Sequence, residues 1–196
     1  MSFTDIAPTF LEAAEVDAAD FLQDSPGRSL FDIFFAEGSG MVTPNRLRAF
    51  MGREGDLGYP VRCIRTPQYL YVRNFSPERW PAGNPETGYT GCDSSPTKAR
   101  ILELKEQGEE HYWQLVFGKR PLEELYDIKA DSHCLKNLAQ EVELKEIKEQ
   151  LWTELQTELK RTNDPRILDH GDEVFEGREY VGGAPHSWAH YLAGDW

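Results

Sequence analysis

Arg79, Trp80, Asn84 and Glu86 stand within one short run of prolines and glycines, and their side chains are of the kinds that grip an anionic sugar. A Trp ring stacks on a sugar face, and Arg and Asn donate hydrogen bonds to sulfate or hydroxyl oxygens. The same stretch is equally readable as a proline-rich loop with Trp80 plugged into a core, and both readings stay open. Two other groupings look chemical. His186 and His190 have the i, i+4 spacing of zinc ligands on a helix face, but Gly182, Gly183 and Pro185 argue against a helix there, and no Cys or carboxylate partner stands in register. Asp131, His133 and Cys134 are ligand types in a row that reads more simply as a turn. No metal ligand is assigned in this chain. Cys63, Cys92 and Cys134 lack metal-type spacing and, being three, cannot all pair.

The charge balance narrows the partners. Thirty-four acidic residues against 21 basic ones give a formal net charge of −13, which repels a nucleic-acid backbone, so no nucleic acid is expected. The arginines Arg46, Arg48, Arg53, Arg62, Arg65, Arg73 and Arg79 nevertheless cluster in one part of the chain. They either face an anionic ligand or pair with the acidic remainder of the fold. No apolar run approaches the length of a membrane-spanning helix, so no membrane partner is expected, and the first residues lack the basic and apolar regions of a secretory signal. The compartment stays unknown.

A mixed α+β fold must position these groups. Ten Phe, eight Tyr and five Trp supply apolar area for one or two cores. A first short helix is predicted with Thr4 as its cap and Ile6, Phe10, Leu11 and Ala14 on a buried face. It starts so close to Met1 that missing upstream sequence is expected. A second is predicted around Leu30, Ile33 and Phe34, ending near Gly38 or Gly40. Val61 to Phe75 reads as a β-hairpin turning at Thr66-Pro67-Gln68. Ser76 to Pro96, with Pro77, Pro81 and Pro85 inside it, reads as a long loop of the functional sort. A helix is predicted from Thr97 to Gln107, stopped by Gly108, then a short strand over 124–128 closed by a turn at Lys129-Ala130-Asp131. Leu144, Ile147, Leu151, Leu155 and Leu159 mark one long amphipathic helix ended by Asn163-Asp164-Pro165. The remainder reads as a tail of loop or weak order.

Arg120-Pro121-Leu122-Glu123-Glu124-Leu125-Tyr126-Asp127, followed by Asp131 and by Asn137-Leu138-Ala139, resembles the ending found near the C-terminus of many sulfatases. The segments Gly58 to Arg62, Ile64 to Thr66, Tyr69 to Phe75 and Arg79 to Glu86 resemble more narrowly the heparan N-sulfatase (sulfamidase) group. Ser2 to Ala14 and Gly27 to Leu30 resemble the helix that closes the family's large N-terminal domain and the segment just after it. The resemblance implies an α+β C-terminal sulfatase subdomain, a small antiparallel sheet packed with one long helix, joined to the end of an alkaline-phosphatase-like α/β domain. It divides the chain into 1–57 as the end of the N-terminal domain and its connection, 58–165 as the C-terminal subdomain, and 166–196 as a tail.

The family's nucleophile is a formylglycine made from a Cys-x-Pro-Ser-Arg motif, and its sulfate is polarised by calcium held on carboxylates. Neither cofactor belongs to this chain by sequence, since Cys92-Asp93-Ser94-Ser95-Pro96 misplaces the proline and lacks the arginine. No catalytic residue is therefore assigned. After Gly52-Arg53-Glu54 the chain also omits an Arg-His pair usual in the family and runs directly into Gly55-Asp56-Leu57. The resemblance thus implies a C-terminal sulfatase fragment, inactive by itself, whose partner is a sulfated sugar or glycosaminoglycan fragment. A non-catalytic module that binds sulfated glycans is the alternative. A gene fragment, a misassigned start or a decayed copy would all produce such a sequence.

Overall fold

A computed structural model describes residues 3–22, 25, 27–35, 50–51, 60–83, 85–87, 94–168, 172–176 and 188–194. The chain forms two compact units, Met1–Pro44 and Asn45–Trp196. The sequence-based boundary at 57/58 lies outside the described residues.

In the first unit a 3-10 turn, Phe3–Asp5, runs into helix α1, Ile6–Ala13. Thr4 sits inside that turn and the cap position falls to Asp5. The buried face is also not the expected one, because Phe10 is 70% exposed while Asp5, Pro8 and Thr9 are buried. The reason is polar. Asp5 accepts the backbone N–H of Arg28 at 3.2 Å, and Thr9 Oγ1 accepts that of Leu30 at 2.9 Å while donating to the Asp5 carbonyl. These bonds satisfy the donors of the segment that leads into helix α2, Phe31–Phe35, and turn Phe10 outward. Gly27 must be glycine here, since a Cβ at that position would lie 1.8 Å from the Thr4 carbonyl oxygen. The expected end of α2 at Gly38 or Gly40 lies outside the described residues.

The second unit is built on a four-stranded antiparallel sheet in the order β1-β2-β3-β4, with β1 Phe50–Met51, β2 Val61–Arg65, β3 Tyr69–Asn74 and β4 Glu123–Asp127. The predicted hairpin is β2–β3. Thr66 closes its turn by accepting the Tyr69 N–H at 2.8 Å. Register places Ile64, Tyr71 and Leu125 side by side on one face. All three are fully buried against Leu151, Leu155 and Leu159 of α5, Lys145–Arg161. Helix period meets strand period in this core, which gathers most of the unit's buried apolar residues among those described. Helix α3, Pro96–Glu106, begins one residue before the expected Thr97: Ser95 Oγ accepts the Lys98 N–H at 3.1 Å, and Pro96 occupies the first turn.

Two helices differ from the sequence reading. Helix α4, His111–Phe117, is composed largely of aromatic and β-branched residues of low helix propensity, and packing sustains it. Phe117 is buried, and Lys105 of α3 lies 3.5 Å over the Trp113 ring. In the stretch read as a loose tail, residues Asp172–Glu176 form a π-helical turn and Trp188–Ala193 form α6, closed by Gly194 at a φ of 76°. His190 thus lies on a helix, whereas His186 is outside the described residues.

Candidate functional site

The sulfatase-like string around β4 is structural in every member that the hydrogen bonds reach. Asn137 Oδ1 accepts the N–H groups of both Leu125 and Ala139 at 2.9 Å, and its amide donates to the Glu123 carbonyl at 3.2 Å. Leu138 N–H donates to the Leu125 carbonyl at 2.7 Å. These bonds occupy the outer edge of β4, where unpaired backbone groups would otherwise stand open. Asp127 accepts the N–H groups of Lys129 and Ala130, and Asp131 accepts those of Leu135 and Lys136, so each carboxylate fastens a turn. Gln68 bonding and the backbone donors hold Asp127 below the ordinary carboxylate range, and the Lys136 N–H does the same for Asp131. Among the described residues no group of three or more His, Cys, Asp or Glu converges as a metal site.

The arginine strip divides. Arg62 is 1% exposed and binds Asp164 through two nitrogens at 2.7 and 3.2 Å. Arg73 reaches Glu123 at 3.4 Å and lies 4.7 Å from the Trp152 ring centroid. Arg46, Arg48 and Arg53 lie outside the described residues. Glu123 collects further partners, accepting from the Tyr71 hydroxyl at 2.8 Å and from Lys148 at 3.1 Å. Burial raises its carboxyl, but the bonds from Tyr71 and Lys148 and the charges of Lys148 and Arg73 carry it below its usual value. Burial first, and then Glu123, push the Tyr71 hydroxyl far above its ordinary 10.0.

Arg79 and Trp80 leave β3 through a tight turn. Asn74 is buried, its Oδ1 accepts the Ser76 N–H at 3.0 Å, and the Arg79 N–H returns to the Ser76 carbonyl at 3.1 Å. Trp80 is 4% exposed and Arg79 8%. Arg79 Nε lies 3.6 Å from Glu78. Glu86 is exposed, in a 3-10 turn over Pro85–Thr87. Asn84 lies outside the described residues. Two residues that sequence reasoning did not single out join this loop. Lys119, from the connection between α4 and β4, places Nζ 4.1 Å from the Trp80 ring centroid. Tyr191 of α6 packs edge-on to Trp80 at 5.2 Å and donates to Glu86 at 2.6 Å. The bond to Glu86 raises the Tyr191 hydroxyl above its ordinary value, which keeps it a donor. Neither residue has a periodic signal, and Tyr191 lies in the stretch read as tail.

No protein-family model matches the chain. It is 27% identical over 169 residues to an ulvan-active sulfatase of Formosa agariphila, a match covering 83% of the chain, and 27% identical over 184 residues to a second ulvan-active sulfatase of that bacterium, covering 89%. The chain spans 29% and 28% of the lengths of these relatives. A solved structure of a protein in complex with its substrate, D-glucosamine-2-N,6-O-disulfate, shares the fold with a TM-score of 0.50 at 20% identity, covering 83% of this chain and 25% of that one. The likeness supports the sulfatase family as read from the residues around β4. Over most of its length, then, this chain is similar to part of a sulfatase.

Proposed function

We propose that the chain serves as the C-terminal part of a sulfatase acting on a sulfated sugar, with residues 1–57 the end of an alkaline-phosphatase-like domain, 58–165 the C-terminal subdomain and 166–196 its tail. In this reading the nucleophile and the calcium site come from sequence outside these 196 residues, since the Cys-x-Pro-Ser-Arg motif does not occur among them. The observation that carries the reading is the likeness to two sulfatases across 83% and 89% of the chain. The likeness to the heparan N-sulfatase group, noted on Arg79 to Glu86 and neighbouring segments, makes a sulfamate as eligible as a sulfate ester.

Within this reading the loop holding Arg79, Trp80, Asn84 and Glu86 faces the sugar. Trp80 anchors the loop while its ring is covered, and Arg79, Asn84 and Glu86 supply polar contacts. A second reading, a module that binds sulfated glycans without cleaving them, is favoured by the ammonium of Lys119 lying over the Trp80 ring. Incubating the purified chain with glucosamine-2-N,6-O-disulfate and measuring free sulfate by ion chromatography tests both. The expected result is no release; sustained release would show a complete hydrolytic site in these residues. Translating the gene upstream in all frames tests the first reading separately, and the absence of any Cys-x-Pro-Ser-Arg motif there would leave the binding module.

A further inference from the structure

Helix α1 and the turn before it carry their apolar stripe outward. Phe3, Ala7, Phe10 and Ala14 recur at the four- and three-residue steps that make one face of a helix, and all four are exposed, Phe3 to 91% and Phe10 to 70%. The opposite face is buried and polar, with Asp5 and Thr9 fastened to the backbone of Arg28 and Leu30. Those bonds fix the rotation of the helix, so the phenylalanines cannot turn inward without breaking them. Among the described residues of Met1–Pro44, Leu30 is the one large apolar side chain that is buried, while Phe21 and Phe34 are 69% and 67% exposed. A unit of that size with so little core needs cover from elsewhere.

We propose that this face, Phe3, Ala7, Phe10 and Ala14, is a docking surface and that its occupant is an apolar face of the α/β domain supplied by the rest of a sulfatase chain. The inference rests on the chain being the C-terminal part of such an enzyme, and it names the residues by which that part is joined. The chain spans 29% and 28% of the two ulvan-active sulfatases, and the match to the second covers 89% of the chain, too much to leave all of Met1–Pro44 outside it. Those proteins therefore carry a counterpart of at least part of this unit together with a large body of further sequence able to cover it. A second copy of the chain is the poorer occupant. The two phenylalanines offer roughly 300 Å² per copy, so a pair would bury far less than the about 1,200 Å² of a stable interface. Each copy also brings a net charge of −13, with Glu12 and Glu15 exposed near the end of the stripe. A domain in the same polypeptide is held at a high effective concentration, and a small apolar face then suffices.

The test follows Phe3 and Phe10 by hydroxyl-radical footprinting with mass spectrometry, with buried Tyr71 as the reference for a folded second unit. Two proteins are compared, the full chain alone and a chimera in which the full chain replaces the matching segment of the second Formosa agariphila sulfatase. The full chain should sediment as a monomer and oxidise at both phenylalanines. In the chimera both should be protected several-fold, with Tyr71 protected in each protein, and Phe10→Asp in the chimera should restore the oxidation of Phe3. A chimera that protects Tyr71 but leaves Phe3 and Phe10 as reactive as in the chain alone overturns the docking surface and leaves the C-terminal reading standing. A chimera in which Tyr71 also loses its protection overturns the C-terminal reading, and the docking surface with it. The full chain gives a measurement that does not depend on the chimera: it should bind the apolar dye bis-ANS, and Phe3→Ser with Phe10→Ser should remove most of that binding. Dye binding unchanged by the double replacement, or a chain that sediments as a dimer with Phe10 protected, overturns the proposal.

Discussion

Arg62 and Asp164 are joined across the second unit by two hydrogen bonds of 2.7 and 3.2 Å, one partner on β2 and the other just past the end of α5. Asp164 is placed for this by Asn163, whose φ of 53° turns the chain back so that the Asp164 N–H reaches the Leu159 carbonyl at 2.8 Å. The sequence Asn-Asp-Pro therefore stops the helix and also supplies a carboxylate to the most buried arginine among the described residues. Replacing Asp164 by Ala removes this carboxylate from the buried guanidinium and should cost about 3 kcal/mol in denaturant unfolding. The double replacement Arg62→Met with Asp164→Leu should recover most of the loss, and a double variant as unstable as Asp164→Ala would show that the pair does more than neutralise itself.

Asn137 serves three backbone groups along β4 and the segment after it. Asn137→Ala should lower stability by about 2 kcal/mol, since the Leu125 and Ala139 N–H groups lose their acceptor. Asn137→Asp should keep the acceptor function and lose the bond to the Glu123 carbonyl, and so fall between. Hydrogen exchange at the Leu125 amide distinguishes the three forms.

Glu123 sets an acid limit. Its carboxyl lies below the ordinary 4.5 in the fold, so the stability it contributes is fully present above that value and is lost as pH falls through the depressed one. Glu123→Gln should therefore be less stable than the natural chain at neutral pH, and the difference should shrink below about pH 4.5 as the natural carboxyl takes up its proton. Chemical denaturation at a series of pH values gives the crossover, and a constant difference down to pH 3 would contradict the assignment.

Tyr71 and Tyr126 set an alkaline one. Burial, followed by hydrogen bonds to Glu123 and Glu124, holds both hydroxyls well above 10.0. Their contribution is complete below the unfolded value of 10.0 and is lost as pH rises beyond it. In an absorbance titration of the eight tyrosines, these two should ionise together with unfolding, and the circular dichroism signal should fall in the same step.

Much of the second unit was legible before the structure because its signals are local and periodic. The leucine stripe of α5, the β-branched and aromatic residues of β2 and β3, and Thr66 in the turn each announce themselves over a few residues. What escaped was decided by contacts between distant residues. The polar face of α1 depends on Asp5 and Thr9 meeting Arg28 and Leu30, and α4 depends on Trp113 meeting Lys105. The candidate loop shows the same division. Arg79, Trp80 and Glu86 stood out by residue type, whereas Lys119 and Tyr191 arrive from other elements and carry no mark in the sequence that connects them to Trp80.

The bonds of Asn137 also bear on how such chains are found. The string from Glu123 to Ala139 is kept together by the need to finish one edge of a sheet, a need that exists whether or not any sulfate is ever cleaved. A genome survey built on that string selects for finished carpentry. It will gather working enzymes and silent copies with equal ease, and telling them apart requires a separate search for the nucleophile.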